Sequence, residues 1–112
     1  MSSTSADIAS YDWKGAVVVI TGASEGIGLD VARALAARGS KVVLAARSAD
    51  KLAAAAESCA KLSADCKCLA VVADVTKRAD HAALLAETLR TFGKVDVWVN
   101  NAGRGCVMTW CW

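Results

Sequence analysis

Four short aliphatic runs, separated by helix-patterned stretches, restrict this chain's fold more than any other feature. They are AVVVIT (Ala16 to Thr21), KVVLAA (Lys41 to Ala46), CLAVVA (Cys68 to Ala73) and VDVWV (Val95 to Val99). A strand with one covered face would alternate apolar and polar residues, whereas a continuous β-branched run predicts a strand buried on both faces. The stretches between them step at helical spacing. Ile27, Val31 and Leu35 share one stripe of a helix from about Gly26 to Arg38, and Gly39 supplies its stop. Ser48 is placed to cap a second helix, whose Leu52, Ala55, Cys59 and Leu62 step by three, four and three. Thr76 is expected to cap a third, with Ala82, Leu85, Leu89 and Phe92 inward and Gly93 at its end. Strands alternating with helices in this way predict an open, doubly wound α/β unit whose parallel strands are joined by right-handed crossovers.

At 112 residues the chain suits one compact domain. A net charge of +2 offers no basic stripe for nucleic acid, and none of the aliphatic runs is long enough to span a bilayer. Residues 1–13 are rich in Ser, Thr and Ala and read as a flexible lead-in. Without a basic stretch and an apolar core, they do not form a secretory signal. The five cysteines (Cys59, Cys66, Cys68, Cys106, Cys111) therefore read as reduced thiols, and the expected location is cytoplasmic. Cys66 and Cys68 lack the pair spacing of a zinc site and the single histidine, His81, is remote in sequence, so no metal is expected. Cys59 reads as a core filler on its helix stripe.

TGASEGIG (Thr21 to Gly28) falls at the junction of the first strand and the first helix. Gly22 lets the chain turn sharply off the strand, Gly26 lets the backbone approach a phosphate, and Gly28 lets helix and sheet pack closely. The first amides of the helix then point at a bound pyrophosphate, aided by the helix dipole. A tight turn with no ligand would use the same glycines, but three of them in this setting favour the phosphate reading.

The spacing is Gly-x-x-x-Gly-x-Gly. Together with NNAG (Asn100 to Gly103) and with Asp74 after the third strand, TGASEGIG resembles the short-chain dehydrogenase/reductase family over residues 14 to about 105. The resemblance implies a partial Rossmann-like doubly wound parallel sheet, with four strands and three helices in the order 3-2-1-4, as the dinucleotide-binding half-domain of residues 14–103. It also implies that Gly22, Ala23, Ser24, Glu25, Gly26, Ile27 and Gly28 hold the cofactor phosphates. Asp74, beside the Val75 backbone, would meet the adenine amine, and Asn101, Ala102 and Gly103 would lie along the adenosine ribose. Asp74 has a second reading as a local helix cap. Ala46 stands where an acid selective for the ribose 2′-hydroxyl usually sits, and Arg47 follows it. A guanidinium there pairs with a 2′-phosphate, so NADP(H) is favoured over NAD(H). Glu25 opposes that preference, because relatives that prefer NADP often carry a base at its position.

Family members transfer the substrate proton through a Tyr-x-x-x-Lys pair assisted by a serine. Here the single tyrosine is Tyr11, four residues before Gly15, so no catalytic residue is assigned. The tail 104–112, RGCVMTWCW, shows neither helical nor strand alternation and is expected to be irregular. VDVWV would then be an exposed edge, and one helix alone would cover the second sheet face, leaving much of that face bare. These features predict a truncated N-terminal portion, its sequence ended early by a shifted reading frame, a retained intron or a misplaced gene boundary. The competing expectation is a genuine short product whose Trp110 and Trp112 cover part of the bare face. Three functions follow: cofactor binding without turnover, a regulatory module pairing with a full-length relative through the exposed edge strand, or a product with no function.

Overall fold

The continuous runs become strands of a single sheet, three of them interior. The CLAVVA run, expected to be buried on both faces, forms an edge with Val72 58% exposed, because no further strand pairs with it among the described residues. A computed structural model describes residues 13–62 and 67–101, together with the backbone of 107–110. In chain order the elements are β1 (Val17–Thr21), α1 (Gly26–Ala37), β2 (Lys41–Ala46), α2 (Ala49–Ala60), β3 (Lys67–Val72), α3 (Arg78–Phe92), β4 (Val97–Asn100) and β5 (Val107–Trp110). The first four strands are parallel in the order β3-β2-β1-β4, with Val18 opposite both Val42 and Val97. This is the partial Rossmann-like order 3-2-1-4. Asp96 interrupts the VDVWV run for a local reason: its carboxylate accepts the Val17 N–H at 2.8 Å, closing the start of β1.

Strand residues alternate between two cores. Val18, Ile20, Val42, Leu44, Val97 and Val99 pack under α1 and α2, whose buried residues include Ala32, Leu35, Leu52, Ala55 and Cys59. Val17, Val19, Val43, Ala45 and Trp98 face the opposite side, where Leu84 of α3 joins them. Trp13, assigned by sequence to the flexible lead-in, is buried in the first core, and its carbonyl accepts the Ser40 hydroxyl at 2.6 Å.

Several sequence expectations need correction. The buried stripe of α1 is Gly28, Ala32, Leu35 and Ala36, while Ile27 is 65% exposed. A rotation by one residue sets small side chains against the sheet and permits a closer approach. Leu62 lies beyond the end of α2 and is exposed. Thr76 does not cap α3, which starts later, with Lys77 at the N-cap and no side-chain cap bond. The buried residues of α3 are Leu84 and Thr88, whereas Ala82, Leu85 and Leu89 face outward and Phe92 is half-buried. Thr88 tolerates burial because its hydroxyl donates to the Leu84 carbonyl at 2.8 Å.

The second face is also less bare than expected, since Val17, Val19, Val43 and Ala45 are fully buried. α3 packs on β2 and β3. Trp98 closes the region above β4, with His81 stacked on its ring at a centroid distance of 4.8 Å. The largest correction concerns the tail. Val107–Trp110 forms β5, antiparallel to β4 with Val97 opposite Trp110 and Asn100 opposite Val107. An antiparallel neighbour needs no crossover helix, so the short segment 101–106 suffices to bring it back. β4 is therefore an interior strand and not an edge.

Candidate functional site

At the carboxyl ends of β1, β2 and β3, three strand-to-helix turns surround an open groove of about 550 Å³. Its lining includes Gly22, Ser24, Glu25, Ala45, Ala46, Arg47, Ser48, Lys51, Ala73, Asp74, Val75, Thr76 and Asn101. The two turns after β1 and β2 differ in how they begin the helices that follow.

After β1, Gly22 and Gly26 have φ of 63° and 64°, a region that favours glycine. Gly28 is helical, and a Cβ there would overlap the Gly22 carbonyl and the Asn101 amide. Ala23 is buried and donates its N–H to the Ala45 carbonyl at 3.2 Å. Glu25 is the N-cap of α1 with extended backbone, makes no side-chain cap bond, and is followed by no acid in the first turn. The leading amides of α1 thus receive no side-chain acceptor from the Glu25 cap position. Of the glycine-turn residues, Gly22, Ser24 and Glu25 line the groove, and Ala23, Gly26, Ile27 and Gly28 do not.

Asn101 fixes this turn from the end of β4. Its N–H donates to Thr21 Oγ1 at 3.0 Å, its Nδ2 donates to the Gly22 carbonyl at 3.2 Å, and Thr21 Oγ1 donates to the Val99 carbonyl at 3.4 Å. Ala102 and Gly103, the other residues singled out in NNAG, lie outside the described residues, as do Tyr11, Cys66, Cys106 and Cys111.

After β2, Ser48 caps α2 by accepting the Lys51 N–H at 3.4 Å, with Asp50 in the first turn. Arg47 is exposed at the groove's rim. Lys51 spans the rim to Glu25, with Nζ 3.4 Å from Oε2. Sequence reasoning did not single out Lys51. Its signal was a base in the first turn of the helix after β2, a place the dipole disfavours.

After β3, Asp74 Oδ1 accepts both the Thr76 N–H at 3.0 Å and the Thr76 hydroxyl at 2.6 Å. The Asp74 N–H donates to Asp80 Oδ2 at 2.9 Å. These bonds make Asp74 a local turn-former as well as a groove-lining acid. The Thr76 hydroxyl, then the Thr76 amide, hold its carboxyl below the usual range, and the charges of Arg47 and Lys77 add to this. Val75 lies beside it in the lining.

Among the described residues no helix is long and apolar enough to cross a membrane. The family model for short chain dehydrogenases matches residues 16–110. An uncharacterized oxidoreductase of Staphylococcus haemolyticus is 46% identical over 89 residues, which cover 80% of this chain and 37% of that protein. The crystal structure of L-sorbose reductase from Gluconobacter frateurii, complexed with NADPH and L-sorbose, superposes with a TM-score of 0.79 at 39% identity. It is matched over 85% of this chain and 36% of its own. An NADH-dependent reductase complexed with NAD gives a TM-score of 0.74 at 34% identity, over 83% of this chain and 38% of its own. The chain thus spans little more than a third of the length of these relatives. By its glycine turn, its strand order and these matches, the chain belongs to the short-chain dehydrogenase family of oxidoreductases.

Proposed function

We propose that this chain is the NADP(H)-binding portion of a short-chain dehydrogenase/reductase-type oxidoreductase. The observation that carries this reading is the uncapped N-terminus of α1, set above the close approach at Gly28 and opening into a groove bounded by Arg47 and Asp74. A pyrophosphate is an anion that such a terminus accepts with backbone donors alone. The glycine-turn residues Gly22 to Gly28 hold it there. Asp74 accepts from the adenine amine with the carboxylate edge not engaged by Thr76, and the Val75 backbone flanks the ring. Asn101 supports the ribose side, together with Ala102 and Gly103.

Arg47 favours the 2′-phosphate of NADP(H) over the 2′-hydroxyl of NAD(H), because a guanidinium meets phosphate oxygens with paired donors and Ala46 offers no acid to the hydroxyl. The bound nicotinamide supplies hydride transfer, and in a complete reductase that step interconverts a carbonyl and an alcohol. These 112 residues hold no Tyr-x-x-x-Lys pair. Our reading for the chain alone is therefore binding without turnover, in a cytoplasmic compartment that keeps its thiols reduced. A regulatory module pairing through the β4 edge has no support, because β5 occupies that edge.

The test is a thermal melt of the 112-residue chain with saturating NADPH, with NADH and with neither. A ligand of the native state at a hundredfold its Kd adds about 2.7 kcal/mol, which raises Tm by roughly 10 to 20 °C in a domain of this size. NADPH is expected to raise Tm more than NADH does, with no loss of reduced-nicotinamide absorbance when a ketone is added. A transition indifferent to both nucleotides overturns the reading.

A further inference from the structure

Glu25 stands in the glycine turn, where its charge opposes a nearby 2′-phosphate. In the structure it is not alone. Lys51 Nζ lies 3.4 Å from Glu25 Oε2 and 3.5 Å from Oε1, and both side chains line the same groove as Arg47. The pair joins the N-cap of α1 to the first turn of α2, so it bridges two turns that the sequence separates by 26 residues. Resting on the dinucleotide reading above, we propose that Lys51 is a specificity-determining residue, a second cation that bridges Glu25 and the 2′-phosphate and lets this chain select NADP(H) despite the acid in its glycine turn.

Three physical points support this. An ammonium carries three donors and no acceptor, so one Lys51 head can serve the carboxylate and a phosphate oxygen together. The two side chains are 58% and 71% exposed. An exposed ion pair contributes little to folding and reorients at little cost, so the contact suits recognition better than stability. Lys51 also lies in the first turn of α2, where the helix dipole opposes a cation. An anion held at the rim relieves that placement. The formal charges of Arg47, Lys51 and Glu25 sum to +1, and removing Lys51 leaves them at zero.

The experiment titrates adenosine 2′,5′-bisphosphate and 5′-AMP into the 112-residue chain and into its Lys51→Met, Lys51→Arg and Lys51→Met/Glu25→Gln variants. For Lys51→Met we expect the bisphosphate Kd to rise roughly tenfold, the scale of one charge-assisted bond at a part-exposed site. The 5′-AMP Kd should stay within about twofold, because that ligand lacks the group being recognised. Lys51→Arg should retain the preference, and Glu25→Gln added to Lys51→Met should recover most of the loss. An unchanged ratio of the two Kd values in Lys51→Met overturns the proposal. Equal weakening of both ligands overturns it too, since that marks a helix-positioning role. If the unsubstituted chain binds neither nucleotide, the dinucleotide reading itself falls, an outcome distinct from binding without Lys51 dependence.

Discussion

The turns after β1 and β2 share one architecture and complete their helices in opposite ways. α2 receives a serine cap on one leading amide and an early acid, so part of its N-terminus is satisfied from within. α1 receives neither, although Glu25 occupies its N-cap. Capping is a cheap and common source of helix stability, and a helix denied it is held by its packing instead. Buried Gly28, Ala32, Leu35 and Ala36 supply that packing for α1. On the dinucleotide reading proposed above, the fold spends donor groups on itself at α2 and keeps them for a ligand at α1.

The comparison breaks most completely at Gly28. Gly28→Val pushes a side chain into the Gly22 carbonyl and the Asn101 amide, and overpacking against backbone costs about 3 kcal/mol. The urea midpoint should fall and the nucleotide-induced rise in Tm should vanish; a variant that still responds to NADPH would show that the close approach is dispensable. Next in size is Asn101→Ala, which removes the donor to the Gly22 carbonyl. We expect a loss of about 2 kcal/mol in chemical denaturation, with weaker nucleotide binding because the turn is no longer held.

Ser48→Ala sharpens the contrast from the other side. Removing the cap of α2 should cost about 1 kcal/mol of stability while the 5′-AMP Kd stays unchanged. A large fall in 5′-AMP affinity would mean that the two termini share one duty. The smallest effect is a pH dependence at Asp74. Its folded carboxyl titrates below the ordinary 3.8, so its contribution is fully present above that value and is lost as pH falls through the depressed one. Thr76→Val should move that loss to higher pH, as read from stability curves in acid.

The sheet was legible wherever burial was total. KVVLAA matches β2 at both ends because Ser40 and Arg47 bound a run with no exposed interior position. α3 was misjudged because Leu84, Leu85 and Leu89 permit two stripes about 100° apart, and the one chosen by the fold includes a threonine. Its hydroxyl is satisfied within the helix, which periodicity of hydrophobic residues does not register. β5 escaped notice because Val107, Met108, Thr109 and Trp110 all suit a strand without alternating. At the site, the glycine turn, Arg47, Asp74 and Asn101 were legible as motif positions. Lys51 was not, because its meaning depends on two turns meeting in space.

The Asn101 latch also sets a clock. It ties to Thr21, 80 residues earlier in the chain. At translation rates of about 5 to 20 residues per second, the glycine turn leaves the ribosome roughly 4 to 16 s before its fastening is synthesised. Through that interval β1 has no β4 beside it and the glycine turn lacks its bonds from Asn101. On the dinucleotide reading proposed above, nucleotide capture follows assembly of the sheet rather than guiding it.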